Sequence, residues 1–413
     1  MRILFLSIGN LKDLSAHSLY PDLLREFARN GDDVYAVCTN EKRNGKPTEL
    51  ACEAGINVLR VRTGNLTKCN IIEKGISTLR VESQFKNAIK KYYKDVKFDL
   101  VMYSTPPITF AGVISYIKKR DGAKSYLLLK DIFPQNAVDI GMMRKTGLKS
   151  VIYKMFRKKE KKLYAISDYI GCMSKANVEY VLKHNPEVSP EKIEVCPNSI
   201  EVIEGTLSAE RKAEIRAKYG VPEGVKTFIY GGNLGRPQGI PFLIECLKAN
   251  MDKTDRFFVV CGTGTEYKKI KEFKEEYNPR NLLLINGLPK AEYEEFCKAF
   301  DIGLIFLDHR FTIPNFPSRL LSYMQSKMPV LCVTDPNTDI GKVAVTGGFG
   351  WWCESDDAEK FTKAVTFALG EDLEAMGQKG YDYLCENYTV QKAYEIVMNK
   401  VEEKATEEAE LHS

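Results

Sequence analysis

The sequence predicts an α/β fold of two similar-sized domains, each a parallel sheet covered by helices on both faces. Three observations carry that reading. Short continuous apolar runs alternate with segments of helical spacing, and continuous apolar runs mark strands buried on both faces. The alternation occurs twice, on either side of a polar, charged stretch from Glu201 to Gly224. A length of 413 residues also exceeds what one ordinary core serves.

In the first half, Ile3–Ile8 reads as a strand; it is too short for a signal peptide, lacks a small-residue cleavage site and runs into Gly9-Asn10. The spacing of Leu19, Leu23, Leu24 and Phe27 predicts a helix, and Asp33–Cys38 is the next strand, after the turn at Asn30-Gly31. Asn57–Val61, a helix around Ile76–Tyr93, and strands at Phe98–Tyr103 and Lys124–Leu129 follow. Such sheets bind ligands beyond the carboxyl ends of their strands. Three loops there carry chemistry: Gly9–His17, Ser104-Thr105-Pro106-Pro107, and Lys130-Asp131-Ile132-Phe133-Pro134-Gln135-Asn136. Asp131 stands at the mouth of the sheet, where a carboxylate can act as a base or accept from a sugar hydroxyl. The alternative is that it caps the next helix or closes a turn. His17, one of four histidines, is a loop histidine of the kind more often simply solvated.

Between Arg144 and Lys162 lies the one strong local charge imbalance. Nine basic residues face a single acid, Glu160, interleaved with Leu148, Val151, Ile152, Met155 and Phe156 at helical spacing. A basic amphipathic helix can lie on an anionic membrane. The competing reading is a helix that packs its apolar face on its own sheet and leaves a solvated basic back. Strands at Asp168–Met173 and Lys192–Cys196 close the first half, the latter running into Pro197-Asn198-Ser199.

The second half repeats the pattern, with strands at Thr227–Tyr230, Arg256–Cys261, Asn281–Ile285, Ala299–Leu307, Met328–Val333 and Phe349–Cys353. Its first strand enters a glycine-dense turn, Gly231-Gly232-Asn233-Leu234-Gly235-Arg236, and a helix follows. Backbone N–H groups can approach a phosphate closely there, and Arg236 supplies a mobile cation. The same turn also punctuates ordinary α/β units. Gly262-Thr263-Gly264 is a second backbone cradle, but Tyr267 stands where a dinucleotide fingerprint needs its last glycine, which argues against a nicotinamide enzyme. Pro317 and Ser318 start a helix, and Arg319 can grip a phosphate bidentately.

The composition is that of a soluble globular protein, 44% hydrophobic and 28% charged. Net charge is +5, and the lysines cluster without the interleaved aromatics of a base-stacking surface, so no nucleic-acid partner is expected. Eleven scattered cysteines contain no Cys-x-x-Cys pair, which reads as a reducing cytoplasm and predicts no metal centre. No stretch reaches the ~20 apolar residues that span a bilayer, so any membrane contact would be peripheral.

Together these motifs resemble the family 4 retaining glycosyltransferases of the two-Rossmann GT-B fold, in particular the branch that builds bacterial capsule and O-antigen repeat units. The markers are Ser104-Thr105-Pro106-Pro107, Lys130-Asp131-Ile132-Phe133-Pro134, Pro197-Asn198-Ser199, Gly232-Asn233-Leu234-Gly235 with Gln238-Gly239, Gly262-Thr263-Gly264, Asn286-Gly287-Leu288-Pro289, and Pro317-Ser318-Arg319 with Tyr323-Met324. They run over nearly the whole chain.

The resemblance implies two Rossmann-like domains facing each other across a cleft. Residues 1–199 would bind the acceptor and 200–386 the nucleotide-sugar, with 387–413 forming a helix that crosses back to the first domain and an acidic, frayed tail. Arg236 and Arg319 would hold the donor pyrophosphate, lined by Gly232, Asn233, Gly262, Gly264 and Ser318. Gly287 and Leu288 would border the nucleobase. Asp131 would sit under the transferred sugar as the catalytic position, with Asn10, His17 and Thr105 facing the acceptor. Lys154, Arg157, Lys158 and Lys161 would touch an anionic membrane. The implied activity is transfer of a hexosyl or N-acetylhexosaminyl group from a UDP-sugar to a lipid-linked saccharide, in the cytoplasm or at the inner membrane face, with no metal or other cofactor. The family often carries two glutamates where this chain has Pro314 and Ser322, leaving Ser322 and Gln325 as weaker hydroxyl partners. A UDP-sugar 2-epimerase of the same fold and a non-catalytic nucleotide-sugar-binding subunit are the alternative readings.

Overall fold

Continuous apolar runs become strands here because both faces of each sheet are covered. Ile3, Leu4, Phe5 and Leu6 of β1 (Arg2–Leu6) are all fully buried. The computed structural model describes residues 1–9, 11–67, 69–148 and 150–410, so Asn10 and the last residues of the acidic tail lie outside the described residues.

The chain forms two compact units, Met1–Glu201 with the segment from Tyr388 onward, and Val202–Asn387. The first unit adds β2 (Asp33–Glu41), β3 (Glu49–Glu53), β4 (Ile56–Thr63), β5 (Leu100–Ser104), β6 (Lys124–Leu129), β7 (Tyr169–Cys172) and β8 (Ile193–Val195). They form one sheet in the order β3-β4-β2-β1-β5-β6-β7-β8. Its pairings are parallel except β3 with β4. Sequence reasoning missed β3. Glu-Leu-Ala-Cys-Glu is no apolar run, and an edge strand with alternate residues exposed needs none. Ala54 and Gly55 make the two-residue turn into β4, both at positive φ (51° and 78°).

The second unit holds β9 (Lys226–Asn233), β10 (Arg256–Thr263), β11 (Leu282–Ile285), β12 (Ile302–Phe306), β13 (Val330–Thr334) and β14 (Gly350–Glu354). This sheet runs β11-β10-β9-β12-β13-β14, with all its pairings parallel.

The C-terminal helix Val390–Glu410 belongs to the first unit. Val390, Ala393, Val397 and Val401 recur at helical spacing and enter the core cluster of β1, β2 and helix Leu19–Arg29. A fully buried valine such as Val397 contributes about 1.5–3 kcal/mol to that docking. The breaks between units fall after Glu201 and Asn387 because the two passing segments are hydrogen-bonded to each other. Ile200 donates to Tyr388 O (3.0 Å) and Val390 to Ile200 O (3.1 Å). Glu201 is held by Arg25 at 3.0 Å and also by Arg29. The eleven cysteines are free thiols, eight of them buried, where they pack as small hydrophobes.

Candidate functional site

In the second unit the strand order reverses between β9 and β12, and a doubly wound sheet opens its ligand crevice at such a point, beyond the carboxyl ends of the strands. The loop after β9 is the glycine turn. Gly232 sits at φ 106°, a conformation that favours glycine. Gly232 and Asn233 are exposed, and Gln238 Oε1 fixes the turn by accepting from Asn233 Nδ2 (3.1 Å) and the Gly235 N–H (3.3 Å). Arg236 is largely exposed, its Nε 3.8 Å from Glu266.

Arg319 is placed differently. Its guanidinium lies 4.4 Å from the centre of the Tyr230 ring, and Nη1 is buried with no hydrogen-bond partner among the described residues. Tyr230 donates to Asn233 O at 2.8 Å, tying the ring under Arg319 to the glycine turn above it. Tyr323 accepts from the Gly231 N–H (3.2 Å) and donates to Ile229 O (3.2 Å). Burial pushes the Tyr323 and Tyr293 hydroxyls well above the usual phenol range. A half-buried cation faced by tyrosines, with a buried unused donor at Nη1, is a half-built anion site. Sequence reasoning named Tyr323 only as a family marker and gave Tyr230 and Tyr293 no site role, since each sits in an ordinary strand or helix pattern and only folding brings them together. The helix Arg319–Gln325 has seven residues, so the anion argument rests on the side chain and not on the helix end.

The other predicted donor positions divide. Gly287 is at φ 71° after β11, with Leu288 half-buried beside it. Ser318 and Ser322 are exposed, and Pro314 is buried. Gln325 Oε1 accepts from the Ile203 N–H at 3.0 Å, which engages it within its own unit. Gly262 and Gly264 serve close packing between the two turns. A Cβ on Gly262 would lie 2.0 Å from Gly232 O, and one on Gly264 would lie 2.3 Å from Leu234 O. Gly262→Ala is therefore expected to destabilise the protein by roughly 1–3 kcal/mol through overpacking, read as a lower midpoint in urea unfolding. A variant unfolding with the parent would show that the turns can separate freely.

In the first unit the reversal lies between β1 and β5, and Asp131 follows the neighbouring β6. Asn136 Nδ2 donates to both Asp131 carboxylate oxygens (2.7 and 2.9 Å). Burial nevertheless raises the carboxyl to about 6. The next helix, Gln135–Asp139, begins after Pro134, so Asp131 is not its cap. Thr105 Oγ1 accepts the N–H groups of Lys130 (3.0 Å) and Asp131 (3.1 Å), which places it as a buried support of this loop. His17 lies 3.7 Å from Asp22 and 3.5 Å from Glu201. Those three offer ligand atoms close enough for a metal. Arg25, however, already holds Asp22 (2.7 Å) and Glu201 (3.0 Å), and with Arg29 it makes this an ion network.

The basic helix spans Ser150–Ile166 and turns Glu160, Leu163 and Tyr164 inward. The apolar stripe is not packed on the sheet. Leu148, Val151, Ile152 and Met155 are exposed, Leu148 almost completely at 98%, and only Phe156 finds a ring, Phe133 at 5.0 Å. The reading of a helix buried by that face is thus overturned. Lys154 and Lys158 are exposed beside the stripe. Arg157 instead turns to Glu160 and Asn185, and Lys161 pairs with Glu187 at 2.9 Å. No helix among the described residues is long and apolar enough to cross a membrane.

Residues 211–383 match the family model described as "Glycosyl transferases group 1". The chain is 23% identical over 328 residues to the "Probable glycosyltransferase WbjE" of Pseudomonas aeruginosa, covering 78% of each. It is 19% identical over 278 residues to WcaI of Escherichia coli (strain K12), a glycosyl transferase assigned to colanic acid biosynthesis, covering 66% of this chain and 67% of that one. Among solved structures, sucrose-phosphate synthase from Thermosynechococcus elongatus matches with a TM-score of 0.76 at 15% identity, over 98% of this chain and 99% of that one. The two parallel-sheet units thus have the α/β architecture of GT-B structures.

Proposed function

We propose that this chain, whose residues 211–383 match the model of group 1 glycosyl transferases, is a glycosyltransferase that moves a sugar from a UDP-sugar to a lipid-linked saccharide, with retention at the anomeric carbon, in the synthesis of a bacterial surface polysaccharide. The observation that carries the donor half is Nη1 of Arg319, buried beneath the glycine turn and unpaired among the described residues. A departing nucleoside diphosphate gains negative charge in the transition state, and a fixed guanidinium aimed there stabilises it more than the ground state. Arg236, exposed on the turn, closes on the same group, and the two arginines supply the positive charge in place of a metal ion. Asp131, with its raised carboxyl, is the catalytic group of the acceptor-binding unit. The colanic acid assignment of one relative supports a surface-polysaccharide acceptor.

The exposed apolar stripe flanked by Lys154 and Lys158 supports a peripheral seat on an anionic membrane, where a lipid-linked acceptor resides. Flotation with anionic vesicles that ignores salt and lipid charge would remove that part of the reading.

The donor is tested by melting the full chain with UDP, GDP, ADP and their common sugar conjugates. A selective rise with the UDP series is expected, since ligand at 100 times its Kd stabilises by about 2.7 kcal/mol. A response confined to GDP or ADP reassigns the donor. A flat response to all of them removes Arg319 as the diphosphate anchor.

A further inference from the structure

The half-buried carboxyl of Asp131 is faced by a side chain that has no part so far in the transfer reaction. Asn136, in the short helix Gln135–Asp139, turns its amide back over the loop, and Nδ2 donates to both Asp131 oxygens at 2.7 and 2.9 Å. Its backbone is fixed at the same place, since the Asn136 N–H donates to Ile132 O at 3.1 Å. The other end of the amide is idle. Oδ1 is buried and has no hydrogen-bond partner among the described residues, although an unused buried acceptor costs stability.

Asparagines that brace this fold behave differently, because they use both ends. Asn250 donates to Cys246 O (2.9 Å) and Thr362 (2.8 Å) and accepts from Arg256 (3.1 Å). Asn185 donates to Val181 O (2.9 Å) and accepts from Arg157 (2.7 Å). Asn136 spends its donors on one carboxylate and leaves its acceptor unused. That is the pattern of a group aimed at Asp131.

The charges around Asp131 do not do the same work. Lys130, its neighbour, turns away and donates from Nζ to Cys196 O at 3.2 Å. From the helix Ser150–Ile166, Glu160 presents a like charge to Asp131, and Arg157 is taken up by Glu160 at 2.5 Å. Asp139 is held by Gln135 at 2.5 Å. Thr105 serves the N–H groups of the loop. Burial, the larger effect, favours the neutral carboxyl; the Asn136 amide, helped by the Ile132 N–H, opposes it.

We propose that Asn136 is the positioning residue of Asp131: its amide pins the plane of the carboxylate and favours the charged form, so that a partly covered carboxyl meets the substrate ionised. The inference rests on the reading of Asp131 as the catalytic group. Its test therefore follows the carboxyl itself and needs no substrate.

Aspartate labelled with 13C at Cγ is incorporated into the full chain, and the Asp131 resonance is identified by its loss in Asp131→Asn. In the parent it is expected to titrate at about 6. In Asn136→Leu, which is similar in size but offers no N–H, the midpoint is expected to rise by roughly one to two pH units, the worth of a hydrogen bond to a charged group. A second variant keeps the test decisive if leucine is not tolerated. Asn136→Asp sets two carboxylates against each other, and adding Asp131→Asn restores an amide–carboxylate contact with its ends exchanged. Asp131→Asn is thus expected to raise the melting temperature at neutral pH more in the Asn136→Asp background than in the parent. An unmoved Asp131 midpoint in Asn136→Leu, whatever its stability, overturns the assignment, as do equal effects of Asp131→Asn in the two backgrounds. A raised midpoint in a protein whose Asp131→Asn variant still transfers sugar supports Asn136 as the group that sets this carboxyl and removes the catalytic reading alone.

Discussion

Arg319→Ala is expected to weaken nucleoside-diphosphate binding by at least about tenfold, because a hydrogen bond to a charged group contributes roughly 1.5–3 kcal/mol and Arg319 offers more than one. The unliganded protein should lose little stability. The cation–π contact with Tyr230 contributes on the order of 1 kcal/mol, and removing a half-buried guanidinium whose buried Nη1 is unpartnered among the described residues offsets it. Binding and folding therefore separate at this residue, which an ordinary core arginine would not allow. Arg319→Lys keeps the charge but loses the planar fork, so its affinity should fall between those of parent and alanine variant. Calorimetric titration with UDP measures all three proteins. An alanine variant within about twofold of the parent would mean that the diphosphate sits elsewhere.

Asp131→Asn is expected to remove at least about a hundredfold of transfer activity, the scale of a positioned acid–base or charge-stabilising group, and to stabilise the fold at neutral pH. The sign follows from the direction of the shift. The folded carboxyl titrates at about 6, above the unfolded 3.8, so between those values the folded state binds more protons than the unfolded one. Stability is then fully present below 3.8 and falls as pH rises through about 6, by about 3 kcal/mol in all. Asparagine does not ionise and avoids that loss. The variant should thus melt above the parent at neutral pH, and the gap should close below pH 3.8. Activity of the parent, if it needs the carboxylate, should rise through about pH 6. Equal melting at both pH values, or a variant that still transfers, would sink the assignment.

Both positions were legible in the sequence, for different reasons. Asp131 follows an apolar strand at the carboxyl edge of a parallel sheet, and that location is fixed by chain order alone. Its raised carboxyl was not legible, because it depends on how completely the Asp131 loop is covered, an effect that outweighs the lowering by Asn136 turning back to it. Arg319 was visible as a cation beside a helix start. The helix proved to be seven residues long, and the stronger feature, three tyrosines from β9 and two separate helices, has no signature in local spacing. Gly262 and Gly264 were visible as a Gly-x-Gly turn, yet spacing could not tell a phosphate cradle from two backbones touching. The edge strand β3 escaped because an edge strand can be short and amphipathic, and the turn that forms it places an alanine at positive φ.

The sequence by itself determined the α/β class, the double alternation of strands and helices, and the loops that lie at the carboxyl ends of the strands. Those follow from periodicity and glycine placement, which act over a few residues. Tertiary structure alone decided which cations are left unsatisfied. It paired the half-buried Arg157 with the buried Glu160. It also buried Arg319 Nη1 without a partner among the described residues and kept Leu148, Val151 and Ile152 in solvent. The physical reason is that burial and pairing are properties of neighbours distant in the chain. They decide whether a charge is a solvated surface group, half of an ion pair or the waiting half of a binding site.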